Sequence, residues 1–348
     1  MDIEIRPFDL NSKSSGEWSR LGEFTRDIQN EFWPNDAWDI DTNRTMIQAQ
    51  QSEYNMVAYK AVDLQQKKRV VGFSRMLFLR EHSPSYGGNE HICQAIGPFV
   101  LSEYRRSGLA TKMLPFIYDE VKKAGRHSII GTVLNEAGRN LVRKIGGREA
   151  QRIQENRLVL SDVDWKMVNK WVDDGPRRSP KTRIEFYHSI PDDILEKYCD
   201  VYTEVQNQAP RDELEVGDSV VTPESWRTRM EKLAEGDMKY LAAVTIEKNG
   251  DISGLTDVAW FPSRPSVLMQ WLTGVQERYR GRGLGKWLKG AVLLKIQDEF
   301  PGVTAISTGN AASNEPMLDI NRRLGFKLYR DMYQYQLELE QLKKYLQK

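Results

Sequence analysis

The sequence predicts an α/β protein made of two tandem copies of one unit. Three observations predict it. At 348 residues the chain is about 2.3 times a typical 150-residue domain. A strand-like run, a turn of the form Arg-x-x-Gly-x-(Gly/Ala) and a helical stretch occur together twice, at Arg105–Ala110 and 175 positions later at Arg280–Gly285. Downstream of each turn an asparagine precedes a glycine by eleven residues, Asn135 to Gly146 and Asn314 to Gly325.

The elements follow in order within each copy. Val70-Val71-Gly72-Phe73 and Ile252-Ser253-Gly254-Leu255 each start a strand after a polar turn. The apolar runs Ile92–Leu101 and Val267–Val275 read as the strands that enter the glycine turns. Beyond the turns, Leu109, Met113, Phe116 and Ile117 fall at helical spacing in one copy, and Leu284, Leu288 and Ala291 in the other. A strand, a helix and a closing strand complete each copy, with Glu155–Leu160 and Tyr333–Leu339 as the closing strands. Glu338–Leu346 passes into a short helical tail. Asp173–Thr182 holds two prolines, a glycine and almost nothing apolar, so it is expected to be a linker between domains 1–172 and 183–348.

Composition removes several function classes. Apolar residues make up 40%, which excludes a largely disordered, collagen-like or fibrous chain. Fifty Lys+Arg against 49 Asp+Glu leave +1, giving no whole-chain case for nucleic acid or an acidic membrane as partner. Cys93 and Cys199 cannot form a disulfide framework or a Cys-rich zinc site, and His82, His91, His127 and His188 lack metal-ligand spacing, so no metal is expected. No apolar run approaches 18 residues and the first residues show no signal-peptide core. The expectation is a cytoplasmic protein, monomer or homodimer, with no membrane partner.

The repeated strand–turn–helix makes an anion site. Glycines allow a tight turn and close approach of ligand to backbone. The first helical turn then offers unpaired N–H groups and the positive end of the dipole, a good receptor for pyrophosphate. A plain strand–helix connection uses the same residues. The glycine spacing is not that of a Rossmann fingerprint, and Gly-x-x-x-x-Gly-Lys-(Ser/Thr) is missing.

Tyr279-Arg280-Gly281-Arg282-Gly283-Leu284-Gly285, followed by Thr308-Gly309-Asn310, Asn314-Glu315-Pro316-Met317 and Asn321-Arg322-Arg323-Leu324-Gly325-Phe326, resembles the GNAT acetyltransferase superfamily. The N-terminal copy is similar but worn, with Gly147 in place of the usual aromatic after Gly146. The resemblance implies two tandem domains, each a mixed, mostly antiparallel central sheet flanked by helices. It implies acetyl-CoA as cosubstrate, with its pyrophosphate on the backbone from Arg280 through Gly281, Arg282, Gly283 and Leu284 to Gly285, assisted by Arg280 and Arg282. Val275 would offer its N–H to the thioester carbonyl and the developing oxyanion. Asn310 and Asn314 would lie along the CoA arm. Arg105, Gly108 and Ala110 are the matching cofactor residues of the first copy.

One departure bears on chemistry. Many family members carry a tyrosine seven residues after the helix asparagine as acid for the CoA thiolate; here that place holds Asn321 and, in the first copy, Val142. Asn321 donates a hydrogen bond but no proton, and Tyr329 or Tyr333 could substitute. The N-terminal copy is therefore expected to be degenerate, binding CoA without turnover, and the C-terminal copy catalytic. Asp257 is the first choice of general base for an amine acceptor, a small molecule or a peptide. Glu213, Glu215 and Asp218 form an acidic loop that could select a cationic acceptor. Trp33 and Trp38 could line its cleft. A reading from another class is a CoA-binding or acyl-CoA-sensing protein in which neither copy turns over.

Overall fold

The computed structural model describes residues 2–34, 36 and 39–348. In chain order the elements are β1 (Ile3–Pro7), α1 (Ser15–Phe32), α2 (Ile40–Gln50), β2 (Tyr54–Asp63), β3 (Arg69–Leu79), β4 (Ile92–Val100), α3 (Leu109–Lys123), β5 (Ser128–Val133), α4 (Glu136–Ile145) and β6 (Arg148–Val159). They continue with α5 (Trp165–Arg178), β7 (Thr182–Tyr187), α6 (Asp192–Asn207), α7 (Pro223–Ala234), β8 (Lys239–Glu247), β9 (Ile252–Trp260), β10 (Val267–Val275), α8 (Leu284–Glu299), β11 (Ala305–Ala311), α9 (Glu315–Leu324), β12 (Lys327–Glu338) and α10 (Leu339–Leu346).

The chain divides into two compact units. The N-terminal unit comprises Met1–Arg152, Asp212–Asp218 and Met332–Lys348; the C-terminal unit comprises Ile153–Arg211 and Ser219–Asp331. In the first, β1 to β4 run antiparallel to their neighbours, β4 pairs parallel with β5, and β5 pairs antiparallel with Tyr333–Glu338 of β12. In the second, β7 to β10 repeat the antiparallel run, β10 pairs parallel with β11, and β11 pairs antiparallel with Ile153–Val159 of β6. The strand pairing within each unit is thus mixed and mostly antiparallel, as the resemblance implies.

Two expectations are corrected here. The closing strands are exchanged: Glu155–Val159 pairs in the C-terminal unit and Tyr333–Glu338 in the N-terminal unit. Ladder bonds are made by backbone groups common to all residues, so the pattern marks a strand without naming its partner. The segment read as a linker is helical as far as Arg178. Asp164 caps α5 by accepting from the Met167 N–H at 3.0 Å, and Trp165, Val168, Trp171 and Val172 hold the helix to the core. Gly175 is buried against Trp287; a Cβ there would stand 2.1 Å from the indole. The glycine is a packing device, and no 173–182 linker separates the units.

Candidate active site

In the C-terminal unit Gly281 and Gly283 both take φ = +79°, a left-handed conformation suited to glycine. Gly283 is the N-cap of α8 and supplies no side-chain bond to the first turn, so the N–H groups opening at Leu284 and Gly285 have no intrahelical partner. The turn is built as expected. Its arginines are not. The Arg282 guanidinium bonds Glu247 at 3.0 Å, Ser179 Oγ at 3.2 Å and Thr182 Oγ1 at 2.5 Å. Arg280 donates from Nε to the Val275 carbonyl at 3.4 Å and from Nη2 to Gln208 at 2.5 Å. Arg105 repeats this in the other copy, from Nε to the Val100 carbonyl at 2.9 Å and as a fork onto Glu31 at 2.7 and 2.5 Å. Arg105 and Arg280 thus tie the end of the strand before the turn to α1 and to the end of α6, and Arg282 ties the turn to β7 and β8. Asn314 likewise caps α9, accepting from the Met317 N–H at 3.4 Å.

Backbone pairing of β10 with β11 runs from Val267 to Met269, and β10 then continues to Val275 against β9, with an irregularity between Gln270 and Thr273. Asp257, wholly buried on β9, holds that irregularity. Its Oδ1 accepts from the Leu272 N–H at 2.7 Å and its Oδ2 from the Tyr240 hydroxyl at 3.1 Å. Tyr240 shares a 2.8 Å bond with Tyr198 of α6. Burial raises the Asp257 carboxyl to about 6, against the lowering pull of those two donors and Arg229.

Asn321 is also buried, and it sits in a polar chain. Lys289, reaching from α8, donates to Asn321 Oδ1 at 2.7 Å and to Gln270 Oε1 at 2.6 Å. Asn321 Nδ2 donates to Asn310 Oδ1 at 2.9 Å, and Gln270 Nε2 to Thr256 Oγ1 at 3.0 Å. Lys289 is wholly buried, and desolvation alone pushes its ammonium down to about 7. Sequence reasoning missed Lys289 and Gln270. The signal was present: a single cation within Leu288-Lys289-Gly290-Ala291-Val292-Leu293, a helical run apolar on every side. Tyr329 is not brought to this group. It is 38% exposed and lies under the Arg157 guanidinium at 3.7 Å, outside this hydrogen-bonded group.

The N-terminal unit holds a cleft of about 600 Å³ where β4 leaves β5 after Ala95. Gly108 and Ala110 at the start of α3, Gly97–Val100, Thr132–Asn135 and Val142 line it, with Arg105 and Arg106 at the turn. Arg106 takes the place of Gly281 and keeps the left-handed backbone at φ = +60°. The worn residues depend on each other: a Cβ on Gly147 would lie 2.4 Å from Val142 Cγ1. Where Asp257 sits in one copy, Arg75 sits in the other. It is 8% exposed, with Nε and Nη1 unpaired and Nη2 3.4 Å from Gln50. Burial lowers its guanidinium to about 10.

Glu213 and Glu215 belong to the N-terminal unit and pair with Arg148 at 3.6 and 2.7 Å, and Asp218 lies on the same segment. Trp33 packs on the core cluster around Phe24, and Trp38 lies outside the described residues. Burial raises both cysteine thiols to about 12. Among the described residues no helix is long and apolar enough to cross a membrane.

No protein-family model matches the chain. A curated relative, L-2,4-diaminobutyric acid acetyltransferase of Streptomyces avermitilis, is 32% identical over 100 residues, 28% of this chain and 55% of the relative, so the match spans little more than half of that protein. Among solved structures, a tandem GNAT protein from the clavulanic acid biosynthesis pathway superposes with a TM-score of 0.77 at 17% identity, covering 97% of this chain and 99% of the other. A GCN5-related N-acetyltransferase from Sphaerobacter thermophilus gives 0.63 at 13% identity over 97% and 96%. Saccharomyces cerevisiae N-myristoyltransferase, solved with myristoyl-CoA, gives 0.59 at 10% over 96% and 80%.

Proposed function

The chain is a tandem protein of the GNAT acetyltransferase fold, and on that premise we propose that it transfers an acyl group, acetyl in the simplest case, from acyl-CoA to a small-molecule or peptide amine, with the C-terminal unit as the catalytic one. One observation carries the reading. At the point where β10 leaves β11, two buried groups have their proton affinities pushed in opposite directions: Asp257 up to about 6 and Lys289 down to about 7. Burial thus brings both groups close to neutrality, where a carboxylate can take a proton and an ammonium can give one at pH 7.

The division of labour follows from their places. The Gly281–Gly285 turn receives the pyrophosphate on its free amides, so the CoA arm enters between β10 and β11 beside Asn310 and Asn314. Asp257 lies toward Tyr240 and Tyr198, on the side of α6. As a carboxylate at pH 7 it takes the ammonium proton of the acceptor through the Tyr240 hydroxyl, freeing the lone pair to attack the thioester carbon. The C–N bond forms, the C–S bond breaks, and the electron pair leaves on sulfur. Lys289, held by Asn321 and Gln270, gives that thiolate a proton and is the acid that the asparagine at 321 cannot be. The N-terminal unit, whose cleft lining contains no carboxylate, imidazole or thiol, binds CoA without turnover. That lining also favours the binding-only reading for that copy.

The relative's diaminobutyrate supports a small-molecule amine as first acceptor to try. The test is release of free CoA thiol from acetyl-CoA by the full chain over a panel of amines. Asp257→Asn and Lys289→Met should each lower the rate by roughly 10²–10⁴-fold. Turnover that survives both substitutions would overturn the reading.

A further inference from the structure

We propose that the N-terminal unit holds an acyl-CoA whose acyl chain is longer than acetyl, the chain lodged in an apolar chamber at the inner end of its cleft; this rests on reading that cleft as a CoA site. The chamber, of about 90 Å³, opens from the cleft through shared walls at Gly97–Pro98 of β4, Thr132–Val133 of β5 and Leu141–Val142 of α4. Its far walls are Leu114, Ile117, Ile129, Ile145, Leu337 and Leu342. The hydroxyl of Tyr335, which also lines it, is engaged with Glu149 at 3.0 Å. An apolar space of this kind stays dry and takes apolar ligands.

The comparison between copies says why the space exists. The C-terminal unit fills the matching region with Lys289, Gln270 and Asn321, bonded to one another. At the matching positions the N-terminal unit has Leu114, Ala95 and Val142, and all three line the chamber. Exchanging a hydrogen-bonded triad for smaller or apolar groups removes the polar side chains that fill this volume in the other copy. It leaves room for about three groups of water size, which suits a short to medium acyl chain entering from a thioester in the cleft. Acetyl would leave that space empty.

Calorimetry on the full chain with CoA and with acetyl-, butyryl-, hexanoyl- and octanoyl-CoA tests this. Each methylene buried in an apolar site strengthens binding up to about fourfold, so hexanoyl-CoA should bind at least tenfold more tightly than acetyl-CoA. Ile117→Phe, and independently Ala95→Val, should flatten the series while leaving CoA itself bound. Gly108→Val should remove the series by closing the cleft. Equal affinity across the wild-type series, with CoA bound, overturns the chamber and leaves the CoA site standing. A chain-length gain that persists in both chamber variants places the chain elsewhere and overturns it too. Binding of CoA unaffected by Gly108→Val refutes the underlying reading of the cleft, and the chamber with it.

Discussion

Lys289 offers the sharpest test, because its position makes a prediction about stability that needs no substrate. The ammonium is wholly buried, and its partners are the amide oxygens of Gln270 and Asn321, at 2.6 and 2.7 Å. Neither carries the negative charge that would offset desolvation. Its affinity for a proton accordingly falls from 10.5 to about 7 in the folded state. The sign follows from linkage. Between about pH 7 and pH 10.5 the unfolded chain binds more protons at this lysine than the native chain, so stability rises with pH across that window. At about 1.36 kcal/mol for each pH unit, the gain from pH 7 to pH 10 is about 3.5 kcal/mol. Lys289→Met keeps the length of the side chain and deletes the titration. At pH 7 the variant removes a buried charge and also strips two amide oxygens of their donor, each costing roughly 1–3 kcal/mol, so its net stability there is close to wild type. The difference between the two proteins must then change with pH. Urea unfolding of both full chains at pH 7, 8, 9 and 10 should show the wild type gaining about 3.5 kcal/mol on the variant. Parallel stability curves would mean that Lys289 does not titrate in this range, and would remove it as an acid.

Three further outcomes are expected. Asp257→Asn should abolish most turnover while leaving acetyl-CoA affinity unchanged; because the native carboxyl is raised to about 6, the wild type should lose stability relative to the variant as pH rises from 4 to 7, by up to about 3 kcal/mol in chemical unfolding. Gly283→Val, at φ = +79° and with a Cβ site 3.2 Å from the Arg178 guanidinium, should weaken acetyl-CoA at the C-terminal unit at least tenfold, about 1.4 kcal/mol, in calorimetry on the full chain carrying Gly108→Val. Arg106→Gly should stabilise the N-terminal unit by roughly 1 kcal/mol in thermal unfolding, because a side chain is held there at φ = +60° where the other copy uses glycine.

What could be read in advance follows from which features are local. The turn at Gly281 and Gly283 was legible because a left-handed backbone selects glycine wherever it occurs, and its recurrence at Gly108 announced the second copy. The helices after the turns were legible from the spacing of residues such as Leu284 and Leu288. The exchange of closing strands was not, since nothing in Glu155–Val159 or Tyr333–Glu338 specifies which parallel pair it will border. Asp173–Thr182 misled because proline and glycine usually break helices; here Pro176 stands in the last turn and Gly175 makes the helix's approach to Trp287 possible. The partners of the arginines were hidden for a related reason. A basic residue beside a glycine turn invites a phosphate contact, and nothing local announces that Arg105 and Arg280 bond carbonyl groups and helix ends that only the folded chain brings near.

The two copies differ most where chemistry would take place, and the differences come in coupled sets. At the end of the second helix, Asn321 goes with Phe326 and Lys289, whose ammonium lies 5.2 Å from the Phe326 ring. Its counterpart Val142 goes with Gly147, because a Cβ at 147 would collide with the valine methyl. No one of these residues could change alone: an asparagine placed at 142 would face Leu114 with no donor for its oxygen, and a valine at 321 would leave the Lys289 ammonium with one partner fewer. On β9 and β3, Asp257 and Arg75 form a second contrast. Asp257 is satisfied by a backbone amide and a tyrosine hydroxyl and is poised near neutrality, whereas Arg75 remains a cation at pH 7 and cannot accept a proton. The two groups proposed as acid and base are therefore replaced together in the N-terminal unit, while the glycine turn and the cleft remain. Under the proposed function, a copy that keeps the glycine turn and cleft and has an apolar wall and a fixed charge in place of Lys289 and Asp257 would hold a thioester, and the copy that retains them would break it.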